Sequence, residues 1–174
     1  MNKSSLAAKI NDLNFTDPVK AFSSYKSEMT LSQVVAFFEK QNIIFTKTMV
    51  QHYMKSGILP PLVNKRYYSK PHICALTVIH ILKDIYSLED IKAVFKLFYD
   101  EDFEAAYGAF IKMYEEAVVV WKNDLPSIMG DLESEHFGEK GINGDDAQNF
   151  LTASLLMAQS AAAKELAKLA IKNY

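Results

Sequence analysis

Between Met29 and Phe98, apolar residues recur at helical spacing in short blocks, and each block opens on a residue able to cap it. Leu31, Val34, Val35 and Phe38 follow Thr30 at i, i+3, i+4 and i+7, which predicts a first helix. Gln41 to Phe45 reads as a turn. Thr46 caps a second helix to about Lys55, and Gly57 stops it in the left-handed conformation. This helix turns Met49, Val50, Tyr53 and Met54 inward; Thr48, Gln51, His52 and Lys55 form a polar face without a carboxylate. Two short helices joined by a tight turn outline a helix-turn-helix. The second, roughly 15 Å long, fits a major groove about 12 Å wide.

Pro60 and Pro61 forbid helix, Asn64 favours a turn, and Arg66-Tyr67-Tyr68 has strand propensity, so Leu59 to Ser69 reads as a small hairpin wing. Ser69 caps a helix from Lys70 to about Ile85, with Pro71 in its first turn. Ser87 and Asp90 form a capping-box variant ahead of Leu88, Ile91, Val94, Phe95 and Phe98. Further on, Phe103, Ala106, Phe110, Met113, Tyr114, Ala117 and Trp121 share one face of a helix over 101–122. Pro126 and Gly130 are expected to interrupt it. The acidic stretch Asp131 to Glu139 leads past Gly138, Gly141 and Gly144 to a last helix capped by Asp145 and running to Lys172. At the other end, Leu6, Ile10 and Leu13 suggest a short amphipathic arm closed by Asp17-Pro18.

The net charge of −2 conceals a strong division. Residues 1–28 sum to +1, 29–98 to +5 and 99–174 to −8, and no acidic residue occurs from Gln41 to Leu82. The expected organisation is an arm (1–28), a basic winged helix-turn-helix (29–98) and an acidic helical region for dimerisation or an effector (99–174). The fold class is therefore mainly all-α with a small β wing. An apolar fraction of 49% excludes wholesale disorder. A single Cys excludes an internal disulfide or a Cys-based zinc site and points to a reducing compartment. No apolar run approaches the ~20 residues of a membrane span, and Met1 to Ser5 lead into no secretory core. A cytoplasmic location without membrane contact is the expectation.

Thr30 to Phe98 resembles the DNA-binding domain of MerR-type regulators in its helix pair, Gly57-Ile58-Leu59-Pro60, Arg66-Tyr67-Tyr68-Ser69 and Ser87-Leu88-Glu89-Asp90-Ile91. It is closer to the bacterial family called domain of unknown function 1836, in Met49-Val50-Gln51-His52-Tyr53, Gly57, Leu59-Pro60, Tyr68 and His72-Ile73. The resemblance implies a winged helix-turn-helix that binds DNA and regulates transcription. Where MerR-type proteins carry Arg-Tyr-Tyr-Glu, this chain reads Gln51-His52-Tyr53-Met54, and a long dimerising coiled coil is not evident.

On this reading Thr46, Lys47, Thr48, Gln51, His52 and Lys55 meet bases. Lys65, Arg66, Tyr67 and Lys70 meet phosphates, Arg66 being the only arginine of the chain. The partners are then double-stranded DNA and a second copy of the chain, since two half-sites raise affinity and selectivity. Room remains for a small-molecule or protein effector at the C-terminal helices. The function expected is transcriptional regulation, as a repressor. The competing reading keeps the fold but uses the polar helix face on a protein. His52, His72, His80 and His136 lack ligand spacing and Cys74 sits among apolar positions, so no metal or cofactor is expected. The glycines at 138, 141 and 144 lack the phosphate-loop pattern, with Asp145 and Asp146 where an anion would sit. The stripe of Phe103, Phe110, Tyr114 and Trp121 suits a core or dimer interface, or less readily an effector pocket. Without a nucleophile–base pair or paired catalytic carboxylates, an enzyme is not expected.

Overall fold

A computed structural model describes residues 16–22, 27–96, 102–136 and 144–172. Seven helices are found among them: α1 (Pro18–Phe22), α2 (Leu31–Glu39), α3 (Lys47–Lys55), α4 (Lys70–Leu82), α5 (Leu88–Lys96), α6 (Phe103–His136) and α7 (Gly144–Lys172). The fold of the described residues is all-α. Thr16–Ile111 belongs to one compact unit and Lys112–Leu169 to another. The arm residues Leu6, Ile10 and Leu13 and most of the glycine-rich connection after His136 lie outside the described residues.

The first unit is organised around α4. Eight consecutive residues, His72 to Ile79, are buried, so this helix has no solvent face along its middle. A helix apolar on all sides is stable only when others surround it. α1 packs on α4 and α2 on α3. An edge-to-face series of rings, Phe22–Phe37 (6.1 Å), Phe37–Phe38 (5.3 Å) and Phe38–Phe45 (4.9 Å), continues to Tyr53 and His80. The Tyr107 hydroxyl donates to the buried Asp17 carboxylate at 2.5 Å, and the same oxygen accepts from the Val19 backbone amide. These bonds tie the start of α1 to α6.

Caps set most of the boundaries. Gln33 Oε1 accepts from the Thr30 amide (2.8 Å), and Thr46 Oγ1 accepts from the Met49 amide (3.1 Å). Ser87 Oγ accepts from the Asp90 amide while the Asp90 carboxylate accepts from the Ser87 amide. Gly57 adopts φ +67° after α3, and Lys92 Nζ from α5 donates to the Ser56 carbonyl at 2.5 Å. A cation there complements the negative end of the α3 dipole.

His72 carries the most connected cap. Its Nδ1 accepts from the Ser69 amide at 3.0 Å, which leaves the proton on Nε2, donated to the Pro60 carbonyl at 3.1 Å. One neutral imidazole thereby closes the first turn of α4 and fastens the Pro60-Pro61 segment to it. Burial holds its pKa below the ordinary histidine value. Burial lowers that of His80 too, with help from Lys83.

Three expectations are corrected. The hairpin wing is not formed: no strand occurs among the described residues, and 59–69 contributes only isolated antiparallel bridges, Val63–Tyr67 and Met29–Tyr68. Two prolines remove ladder donors, and left-handed Asn64 (φ 50°) and Lys65 (φ 58°) reverse the chain after one pair. Tyr68 then pairs with Met29 instead of extending the Val63 ladder. The tight helix-turn-helix is likewise replaced. The seven residues Lys40 to Thr46 separate α2 from α3, against about three or four in that motif, and bury Ile43 and Phe45 on the way. The fold is therefore not a MerR-like winged helix-turn-helix. Finally, α6 continues through Pro126 and Gly130 to His136; a proline lacks one helical donor and costs about 3 kcal/mol, which a 34-residue helix can absorb.

In the second unit, Met113, Val119, Val120 and Trp121 of α6 and Phe150, Met157, Leu166 and Leu169 of α7 are exposed. No helix of the described residues is long and apolar enough to cross a membrane.

Two stability measurements check this account. Because His72 is held neutral in the fold but titrates near 6.5 when unfolded, its contribution is complete above that pH. It falls by up to about 1.4 kcal/mol per pH unit below it, until the depressed folded pKa is reached. Urea unfolding should show this decline between pH 7.5 and 5, and His72→Asn should make it shallower, leaving the part that His80 contributes; a flat wild-type profile contradicts the assignment. Gly57→Ala should lower stability by about 1–2 kcal/mol, because the added Cβ keeps a left-handed φ and meets Lys92 Nζ at 3.3 Å.

Candidate functional site: a basic cleft beside α3

A cleft of about 400 Å³ lies between the start of α2, one face of α3 and the turn after Pro61. Its lining is Leu31, Gln51, Met54, Lys55, Leu62, Lys65, Arg66 and Tyr68. Helical geometry explains the α3 wall, because Gln51, Met54 and Lys55 stand at i, i+3 and i+4 and share one face. Val50 and Tyr53 point the other way, into the core. Leu31 is the first residue of α2, whose approach to the turn is held by reciprocal backbone hydrogen bonds between Met29 and Tyr68, both 2.8 Å.

The opposite wall is a tight turn. The Arg66 amide donates to the Val63 carbonyl at 3.1 Å across Asn64 and Lys65, the arrangement of a turn whose two central residues need positive φ. Asparagine tolerates that conformation. Lysine does so at a cost of roughly 1–2 kcal/mol, so local strain is stored where Lys65 enters the cleft wall. The Arg66 guanidinium carbon lies 5.5 Å from the Tyr67 ring centroid, a cation–π contact that restrains the side chain.

The electrostatics are one-sided. Lys55, Lys65 and Arg66 contribute three cations, and none of the eight lining residues is acidic. Leu31, Met54, Leu62 and the buried Tyr68 ring supply an apolar floor. Burial raises the Tyr68 pKa, which keeps the phenol neutral. The cleft thus has the chemistry to hold an anion attached to an apolar body, and it contains no nucleophile–base pair.

The structure brings Gln51, Lys55, Lys65 and Arg66 together and distributes the other sequence-derived candidates elsewhere. Thr46 is used as the α3 cap. Lys47, Thr48 and His52 are exposed on α3 but do not line the cleft, and Tyr67 serves as the platform for Arg66. Lys70 is engaged at 2.6 Å by Glu104 of α6, whose carboxylate raises its pKa. The floor residues Leu31, Met54 and Leu62 escape sequence reasoning because apolar side chains at helical spacing read as core. Only the run Leu62-x-x-Lys65-Arg66, apolar then basic within one turn, hints at their position.

The remaining reactive groups are closed off. Cys74 is buried, and burial, reinforced by Glu104, pushes its thiol up to about 12. Among the described residues, no group of three His, Cys, Asp or Glu side chains gathers to hold a metal. Phe103 packs on Phe95 at 5.4 Å, Phe110 and Tyr114 are half-buried, and Trp121 is exposed, so the aromatic stripe is divided.

With the wing and the tight turn absent from the described residues, the fold offers no MerR-like route to double-stranded DNA. Two further expectations rested on it: a homodimer reading paired half-sites, and C-terminal helices relaying an effector to a DNA-binding domain. Both fall with it, as does the transcriptional-repressor reading. No curated protein and no solved structure matches the chain. The family model described as Domain of unknown function (DUF1836) matches residues 23–117, a span that contains the whole cleft and more than half of the sequence. The chain belongs to the DUF1836 family.

Proposed function

We propose that this chain is a non-catalytic, cytoplasmic binding module whose cleft beside α3 takes a small anionic ligand. One observation carries the reading: three cations and no carboxylate line an apolar-floored cleft, one of them on strained backbone. Lys55, Lys65 and Arg66 are exposed, and like charges gathered without counter-charges repel one another. An anion relieves it. The volume falls within the range of small-molecule sites, and the absence of an acid–base or nucleophilic arrangement in the lining supports binding over chemistry.

Amide NMR titration tests this with benzoate and phenyl phosphate as anions and benzyl alcohol as the neutral control. The anions should shift Gln51, Lys55, Lys65 and Arg66 first, with affinity falling as ionic strength rises; equal effects from benzyl alcohol would overturn the reading. Arg66→Ala should weaken anion binding by about 1.5 kcal/mol or more, the worth of a charge-assisted hydrogen bond. Lys65→Gly should raise stability by up to about 1 kcal/mol through relief of the left-handed strain, less the greater chain entropy of glycine. It should also lower anion affinity, which a purely structural turn would not do.

A further inference from the structure

We propose that the anion is a phosphate monoester on a compact apolar body, a soluble metabolite-sized ligand, and this rests on the anion-binding reading above. The number and kind of cations argue for it. The planar fork of Arg66 alone satisfies both oxygens of a carboxylate, which would leave Lys55 and Lys65 uncompensated in the same cleft. A phosphate monoester carries close to two negative charges and three strong acceptor oxygens. Two lysines with rotatable donors and one arginine fork cover both charges and all three oxygens, leaving at most one cation uncompensated where a carboxylate leaves two.

The floor argues against bare inorganic phosphate. Leu31, Met54, Leu62 and Tyr68 present apolar surface that a fully hydrated ion leaves wet. An ester substituent covers it, and the flexible Met54 side chain can adapt to the substituent's shape. Gln51, a neutral donor and acceptor in the same wall, is placed to meet a bridging oxygen or a hydroxyl on that substituent. A cleft of 400 Å³ sits at the small end of ligand sites, which favours a free phosphate ester over a lipid with two long chains.

Calorimetry on the full chain at low salt decides the matter, using phenyl phosphate, benzoate, inorganic phosphate and phosphatidylcholine vesicles containing phosphatidate. Phenyl phosphate should bind about tenfold more tightly than benzoate or inorganic phosphate, one charge-assisted contact being worth about that factor. Its affinity should rise as pH increases through the second phosphate ionisation near about 6. Lys55→Gln and Lys65→Gln should weaken phenyl phosphate binding more than benzoate binding and so reduce this preference. If benzoate equals phenyl phosphate, the phosphate assignment fails and the anion-binding reading survives; if no anion binds, both fail. Binding to the vesicles without binding to phenyl phosphate overturns the assignment in favour of a membrane surface.

Discussion

The neutral imidazole of His72 holds together two parts of the chain that local forces alone would leave apart. The segment from Ile58 to Tyr68 contains two prolines and no repetitive backbone pairing, so it has little intrinsic order. Hydrogen-bonded to Ser69 on one side and to Pro60 on the other, His72 registers that segment against α4, the most buried helix. The turn at 63–67 and its cations inherit their position from this link. Protonation would remove the acceptor that Nδ1 presents to the Ser69 amide, and burial opposes protonation.

Around that anchor, the surface of the unit separates the two fates of a lysine. Lys70 and Lys92 are bound within the fold, to Glu104 and to the carbonyl end of α3. Lys55 and Lys65 line the cleft with Arg66. Counting charges along the sequence cannot separate these classes, since all five lie within the +5 region. The three-dimensional partners decide which of them remain available to a ligand.

Much of the helical architecture was legible because capping chemistry is local. Thr30, Thr46, Ser69 and Ser87 each open a helix where their side chains predict, and Gly57 adopts the left-handed stop. The wing does not form because the strand propensity of Arg66-Tyr67-Tyr68 is a tendency that only partner strands realise. Here Tyr68 found Met29, a single residue rather than a strand. The connection between α2 and α3 lies within one residue of the span read from the sequence, but its Ile43 and Phe45 are buried, which makes it part of the core rather than the tight turn of a helix-turn-helix. Four of the ten candidate site residues, Gln51, Lys55, Lys65 and Arg66, line the cleft. The apolar half of the lining was invisible, since Met54 has the periodicity of a core residue and only the fold shows that its face opens onto a cleft.

The burial of Cys74 has a practical reach beyond packing. It is the only thiol of the chain, and its position in the middle of α4 keeps it protonated and inaccessible. The Cys74 thiol is therefore shielded from alkylating and spin-labelling reagents. A cysteine introduced at exposed Thr48 or His52, beside the cleft and outside its lining, becomes a unique handle without removal of the native one. The core residue that contributes nothing to chemistry thus leaves the neighbourhood of the binding surface open to site-specific reporters.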